Sequence, residues 1–428
     1  NKLYLVRDRL GQKPLFYSSL GNQILFSSNL KSINDLLSCE VDSESLNEYL
    51  NYGVVFSPNT IYQNIFKLKP GEILEYDIDT HSIKTNLYWQ PEDFIANNAF
   101  EKNNFLDLFN NAVSIRQNAD VPVANFLSGG IDSTSIIKSI SLQNKQVNTF
   151  SVGFESDNYD ESTWSSMAAQ KYETNHLLKK VKTDINIDLI NESIQIFDEP
   201  YSDPSTLPSY ILSKEISKNY KVAISGDGGD ELLGGYDRIY KTLKRKKFKN
   251  ISGVLFNLYS PKLGSGTKIK INNENLAKSY SSYYEDEKLL NLLKVNQSDK
   301  FNDKFKYLNC SEYKNLLIFD FKYFLSEMML LKIDRTSMAN SLEVRSPFVD
   351  HRLIELILSS DESYVDLENP KKILKDYLSS DFDSDFLLRK KMGFVFDVSD
   401  WVYSNILDIE KTFKDGKIVN SLNKNFLK

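Results

Sequence analysis

The sequence predicts an α/β protein: a doubly wound parallel sheet with a mainly helical C-terminal part, preceded by a smaller α+β unit. Three observations carry that prediction. Apolar strand-like runs alternate with helix-like ones between about residues 101 and 224, the rhythm of a parallel sheet with helices on both faces. Residues 1–88 instead show short alternating runs broken by Gly and Pro turns. Beyond residue 251 the spacing is mainly helical. A length of 428 residues exceeds one average domain, so boundaries are expected at 1–88, a linker 89–100, and 101–428.

In the first unit, Leu15–Ser18 and Ile24–Ser27 read as strands joined through Leu20-Gly21-Asn22, a hairpin signal. Ser43–Leu50 reads as a helix with a serine start, and Pro70-Gly71 as a turn before the alternating strand Ile73–Ile78. Trp89-Gln90-Pro91 and the polar residues after it read as linker. The second unit follows as helix Phe105–Gln117, strand Val121–Leu127, helix Asp132–Leu142, strand Val147–Gly153 and helix Thr163–Tyr172. Strands at His176–Val181 and Val222–Ile224 complete it. Ligands of such sheets bind beyond the carboxyl ends of the strands, where the winding reverses. The loops after Leu127, Val152 and Ile224 are therefore the expected seat of chemistry.

Composition narrows the class. No apolar run approaches a membrane span. A secretory pattern is missing from the start, and two cysteines, Cys39 and Cys310, make no disulfide framework. A cytoplasmic protein without membrane attachment is expected. A net charge of −6 argues against a nucleic-acid partner. The basic run Lys241, Lys244, Arg245, Lys246, Lys247 and Lys249 reads as a solvated face. The chain opens directly on a strand-like run, Leu3-Tyr4-Leu5-Val6, and closes on a polar tail, so a piece cut from a longer protein is expected at both ends.

Two loops stand out. Ser128-Gly129-Gly130-Ile131-Asp132-Ser133 lies between a buried strand and a helix start. Its glycines let successive N–H groups converge at a helix N-terminus, an anion cradle suited to pyrophosphate. Ser128 and Ser133 add hydroxyl donors. Asp132 would repel phosphate unless a cation lay between them, which points to Mg²⁺. The alternative is an ordinary glycine turn with a capping aspartate. The second loop, Ser225-Gly226-Asp227-Gly228-Gly229-Asp230-Glu231, carries three carboxylates in five residues. Their repulsion calls for a metal or a cationic substrate. EF-hand spacing is absent.

With these loops stand Arg7–Tyr17, Leu68-Lys69-Pro70-Gly71, Asp198-Glu199-Pro200, Asp203-Pro204-Ser205, Leu232–Tyr236, Asp334-Arg335 with Ser337-Met338-Ala339, and Glu343–Asp350. The first loop resembles that of the N-type ATP pyrophosphatases. The whole set resembles the glutamine-dependent asparagine synthetase family, from about residue 4 to about 400. The resemblance implies an adenine nucleotide alpha-hydrolase-like synthetase domain and part of an Ntn-hydrolase-like glutaminase domain. It implies adenylation of a carboxylate, aspartate first, by ATP with Mg²⁺, then amide formation with ammonia. Leu127 and Val152 match adenine contacts. Ser128, Gly129, Gly130, Asp132 and Ser133 match the pyrophosphate cradle, with Ser225 and Gly226 in the second loop also on the ATP side. Asp132 and Asp230 match metal-holding carboxylates. Asp227 matches a general-base position and Lys371 a lysine that approaches pyrophosphate, the alternative for Lys371 being a solvent-facing helix lysine.

The glutaminase nucleophile of the family is an N-terminal Cys, and residue 1 here is Asn1, so glutamine hydrolysis by the chain as given is not expected. Small-molecule substrates are the expected partners, and the resemblance leaves room for a homodimer. Relatives that amidate sugar acids or close β-lactam and lasso-peptide rings share the adenylation chemistry and remain alternatives, as does a noncatalytic partner of an intact homologue. Asp334, Arg335, Glu343 and Arg345 read as buried ion pairs joining helices to the sheet.

Overall fold

The computed structural model describes residues 1–143, 146–154, 162–181, 187–245, 276–281, 283, 305, 307–389, 402 and 405. The N-terminal unit is two antiparallel three-stranded sheets. One holds β1 (Lys2–Val6), the other β2 (Phe16–Leu20) and β3 (Gln23–Ser27). The helices α1 (Leu30–Leu37) and α2 (Ser43–Tyr52) follow. Next, β4 (Phe66–Lys67) pairs with β2, and β5 (Glu72–Asp77) lies between β1 and β6 (Ile83–Leu87). The expected hairpin forms across Gly21, whose φ of 59° is a left-handed turn conformation that glycine adopts without cost. Asp42 caps α2 through the Glu44 and Ser45 N–H groups. Helix α1, which the sequence reading passed over, is capped by Asn29 through Ser32 N–H at 2.9 Å.

The second unit begins with α3 (Lys102–Arg116), β7 (Val123–Phe126), α4 (Ile131–Ser141) and β8 (Asn148–Phe154). It continues through α5 (Ser162–Lys171), β9 (Asn175–Val181), α6 (Ile187–Gln195), α7 (Thr206–Ile216), β10 (Val222–Ile224), α8 (Gly229–Leu233) and α9 (Asp237–Arg245). Helices α10 (Leu276–Ser281) and α11 (Glu312–Phe319) precede a π-helical stretch over Asp320–Met329 that runs straight into α12 (Leu330–Met338). The strand β11 (Glu343–Arg345) and helices α13 (His351–Ser359), α14 (Lys372–Leu378) and α15 (Ser384–Leu388) complete it.

The sheet is five-stranded, parallel throughout, in the order β11-β10-β7-β8-β9. Winding proceeds from β7 outward to β9, then returns to the other side of β7 for β10 and β11. The reversal therefore falls between β7 and β10, which places the loops at 127–131 and 225–229 side by side. One face of the sheet packs Ala124, Phe150, Val152 and Ala223 against Leu212 and Ile216 of α7. The other buries Leu127 and Ile224 with Phe109, Ile137 and Phe348. This is the doubly wound arrangement.

The segment 89–100 differs from the linker expected of it. The Trp89 indole N–H donates to Glu355 at 2.8 Å, the Asn98 N–H to Ser359 O at 2.9 Å, and Lys322 pairs with Glu92. Its polar residues masked two apolar anchors, Trp89 and Phe94, whose rings meet at 5.8 Å. The basic run is solvated where described: Lys241 pairs with Asp237 and Lys244 with Glu368. Its remaining lysines, and Lys390–Phe394, lie outside the described residues. Asp334, Arg335, Glu343 and Arg345 do form ion pairs, though not the ties between helices and sheet that were expected. Arg335 reaches Asp198 at 2.6 Å within the second unit, Lys13 reaches Asp334 at 2.6 Å and joins the two units, and Arg345 pairs with Glu343 on its own strand at 2.9 Å.

Candidate active site

The first loop leaves β7 with Leu127 still in the sheet. Its N–H donates to Phe150 O at 2.8 Å. That donor is engaged in strand pairing, and the buried side chains of Leu127 and Val152 form an apolar wall beside it. At Gly129 φ is +76°, and an added Cβ would lie 2.5 Å from backbone atoms of Trp164 and Ser165. Only glycine fits there. The Gly130 N–H meets Ser128 Oγ at 3.1 Å, and Ser133 Oγ lies 3.2 Å from Ser128 Oγ and donates to Gly130 O. Gly130 is the residue before α4, so this hydroxyl-lined curl opens on that helix N-terminus.

The second loop leaves β10 through Ser225, whose N–H is held by Arg345 O at 3.0 Å. The Ser225 hydroxyl is buried and has no hydrogen-bond partner among the described residues. Gly228, at φ +87°, lets the chain pass Val349, where a Cβ would stand 2.7 Å from Cγ1. The loops touch through glycines. A Cβ at Gly226 would meet Asp132 Cβ and Ser133 N at 3.3 Å, and one at Gly229 would lie 2.7 Å from Asp132 Oδ1. One at Gly235 would overlap Asp230 and Lys371. These glycines set the spacing between the two aspartates.

Between the loops lies Lys371. Its ammonium pairs with Asp132 and, at 2.5 Å, with Asp230. It is no solvent-facing helix lysine: the side chain is 7% exposed, and the residue precedes α14 with φ at 58°, a left-handed conformation that costs a non-glycine residue energy. Burial pushes the Lys371 pKa down, but the two carboxylates outweigh it and hold the group well above its ordinary value. Among the described residues no three His, Cys, Asp or Glu side chains gather as a metal cage. A two-carboxylate centre is what the loops supply.

Asp227 stands apart. It is half-buried, its backbone O accepts from Ser346 Oγ, and its carboxylate takes part in no hydrogen bond or ion pair with the described residues. The adjacent Glu231 is buried against Tyr236, whose hydroxyl donates to it at 2.7 Å. Burial first, then the Asp230 charge, pushes Glu231 up to about 7. Sequence reasoning missed Arg389. Its guanidinium donates to Gly129 O at 2.7 Å and lies over the Trp164 ring at 4.9 Å, fixing the first loop from behind. Nothing local marks one arginine 260 residues away as a loop support.

All the expected site residues thus fall on one edge of the sheet: Ser128 to Ser133, Ser225, Gly226, Asp227 and Asp230 on two neighbouring strand tips, Lys371 between them, and Leu127 and Val152 beneath. Against known families, residues 104–415 match the asparagine synthase model. The chain belongs to the asparagine synthetase family. Residues 1–89 match a glutamine amidotransferase domain. Three proteins of Bacillus subtilis (strain 168) are similar to it. Asparagine synthetase [glutamine-hydrolyzing] 1 is 28% identical over 435 residues, which cover 94% of this chain and 66% of the relative. Asparagine synthetase [glutamine-hydrolyzing] 3 is 28% identical over 414 residues, 91% and 64% respectively. Asparagine synthetase [glutamine-hydrolyzing] 2 is 26% identical over 421 residues, 92% and 54%. The chain thus spans about two thirds of these relatives or less. No helix among the described residues is long and apolar enough to cross a membrane.

Proposed function

We propose that this member of the family activates a carboxylate with ATP and converts it to a primary amide with ammonia, aspartate being the foremost acceptor. The observation that carries the reading is the single ammonium of Lys371 shared by Asp132 and Asp230 across two strand-tip loops. Two carboxylates converging on one cation, beside a loop of N–H and hydroxyl donors, fit an ATP–Mg²⁺ complex. Magnesium is bound by one or two carboxylates together with substrate phosphates. Asp132 and Asp230 would hold it, and it would there offset the charge that builds as pyrophosphate leaves.

The chain's own groups divide the remaining work. The curl from Ser128 to Ser133 receives the pyrophosphate at the N-terminus of α4. Lys371, already protonated, brings it a fixed positive charge. Leu127 and Val152 give the adenine an apolar face. An oxygen of the acceptor carboxylate attacks the α-phosphorus and pyrophosphate departs. Ammonia then attacks the acyl carbon, AMP leaves with the bridging oxygen, and Asp227 takes the surplus proton from nitrogen. Its carboxylate takes part in no hydrogen bond or ion pair with the described residues and is open to that role.

The test is ATP–pyrophosphate exchange with aspartate, supplied with ammonium for the full reaction. Asp132→Asn and Asp230→Asn are each expected to slow exchange at least about tenfold, a loss above about 1.4 kcal/mol. Near-normal exchange in both variants contradicts the assignment.

A further inference from the structure

The first loop carries a peptide whose orientation decides whether it can receive an anion. In a trans peptide the C=O and the N–H point in opposite directions. The Gly129–Gly130 peptide is trans. Its N–H points to Ser128 Oγ at 3.1 Å, on the side of the curl where the Ser133 hydroxyl also lies. Its C=O faces the other way, and there it accepts from the Arg389 guanidinium at 2.7 Å. Turned over, the same peptide would put a carbonyl oxygen into the cradle, where it would repel phosphate. Such a turn rotates ψ of Gly129 and φ of Gly130, and two glycines in a row resist it least. The orientation has to be held from outside the loop.

Arg389 is built to hold it. The residue is half-buried at the end of α15, with its guanidinium over the Trp164 ring at 4.9 Å and 5.7 Å from the Phe386 ring. Phe386 meets Trp164 edge-on at 5.8 Å and stacks on Phe382 at 4.0 Å, which in turn meets Tyr172 at 5.8 Å. These rings bind α15 to α5, the helix whose Trp164 and Ser165 already crowd Gly129. The chain before α15 is anchored as well. Lys138 of α4 pairs with Asp381 at 2.6 Å and donates to Tyr377 O at 2.6 Å, while the Tyr172 hydroxyl donates to Asp381 at 2.9 Å. A planar guanidinium fixed by stacking loses little freedom in making a charge-assisted bond. One segment, α14 with α15, therefore grips the first loop at both of its ends, through Lys371 at Asp132 and through Arg389 at Gly129 O.

We propose that Arg389 is a positioning residue for the nucleotide phosphates: it holds the Gly129–Gly130 peptide with its N–H turned into the cradle. It acts through that peptide, from the carbonyl side, and so sets the affinity for polyphosphate while leaving that for the nucleoside alone. This rests on the reading of the Ser128–Ser133 curl as the phosphate site and adds what keeps that curl in its binding form.

The experiment is equilibrium titration of the full chain with ATP, pyrophosphate and adenosine, each with magnesium present. Arg389→Gln is expected to weaken ATP and pyrophosphate at least about tenfold, the scale of one hydrogen bond to a charged group, and to leave adenosine within about twofold. Arg389→Lys keeps the charge without the planar fork, so its ATP affinity is expected to fall between the wild type and Arg389→Gln. Methylguanidinium added to Arg389→Ala is expected to restore part of the lost ATP affinity. Unchanged ATP affinity in Arg389→Gln overturns the proposal. So does an equal weakening of adenosine, the mark of a residue that only keeps the fold. Should Arg389→Gln not fold, Arg389→Lys decides on the same ligands, and an ATP affinity equal to that of the wild type overturns the proposal. A wild-type chain that binds adenosine but neither ATP nor pyrophosphate removes the phosphate reading of the loop, and the role of Arg389 with it.

Discussion

At the strand tips one ammonium, Lys371, faces two carboxylates, Asp132 and Asp230. At the joint between the two units each cation has a carboxylate of its own. Lys67 pairs with Glu199, with both side chains 5% exposed, Arg335 with Asp198, and Lys13 with Asp334. The joint is also stitched by neutral bonds: Asp198 accepts from Asn29 Nδ2 at 2.7 Å and the Leu30 N–H at 3.0 Å, while Glu199 accepts from the Ile61 N–H at 3.2 Å. Paired and saturated charge of this kind holds a geometry. Two acids about one ammonium, lined by glycine and by the Ser225 hydroxyl, are the arrangement that the proposed binding of a cation and phosphate draws on. The residue types are alike, and the difference lies in the charge balance and in what surrounds it.

Breaking the joint is expected to give the largest effect. Burial pushes Glu199 up while Lys67 pulls it back, and Glu199→Gln removes the charge that compensates Lys67, leaving the buried ammonium with neutral acceptors such as the Val55 carbonyl. A loss of about 3–5 kcal/mol in denaturant unfolding is expected, partly recovered by adding Lys67→Met. Asp132→Asn is expected to cost under about 1 kcal/mol in the same measurement, because Asp230 still pairs with Lys371 and one like-charge repulsion is gone. Equal losses at the two places would erase the contrast.

Next in size is Gly129→Ala. It combines a left-handed backbone with overlap against Trp164 and Ser165, on the order of 3 kcal/mol. ATP binding is expected to weaken about a hundredfold or more by equilibrium titration, and unchanged affinity would mean that the loop does not carry the phosphates.

The smallest effect concerns His176, away from both clusters. Burial lowers its pKa, and Thr149 and Ser151 hydroxyls hold its ring nitrogens at 2.9 and 3.1 Å. Folded His176 stays neutral where the unfolded chain binds a proton, so its contribution is present above pH ~6.5 and is lost as the pH falls. Thermal unfolding from pH 7 to 5.5 is expected to show a decline that His176→Gln flattens.

Much of the site was legible because its parts are local. Ser128-Gly129-Gly130 and Asp227 to Asp230 each lie on one turn after one strand, and strand alternation told which edge they share. Lys371 was legible only through resemblance: its residues read as a helix start, and only tertiary packing shows the ammonium buried between two loops. Residues 89–100 looked like linker since their polarity outweighs Trp89 and Phe94, and the ties to α13 are long-range. Helix α1 was passed over because its first turn, Leu30-Lys31-Ser32, is polar apart from Leu30, and its cap depends on a side-chain rotamer.

The most direct measurement is a crystal structure of the chain grown with a nonhydrolysable ATP analogue and Mn²⁺, read by anomalous scattering. The account predicts a manganese peak bound by Asp132 and Asp230, with the Lys371 ammonium displaced onto the phosphates. Manganese elsewhere, with Lys371 still bridging the two aspartates and no nucleotide against Ser128–Ser133, would contradict it.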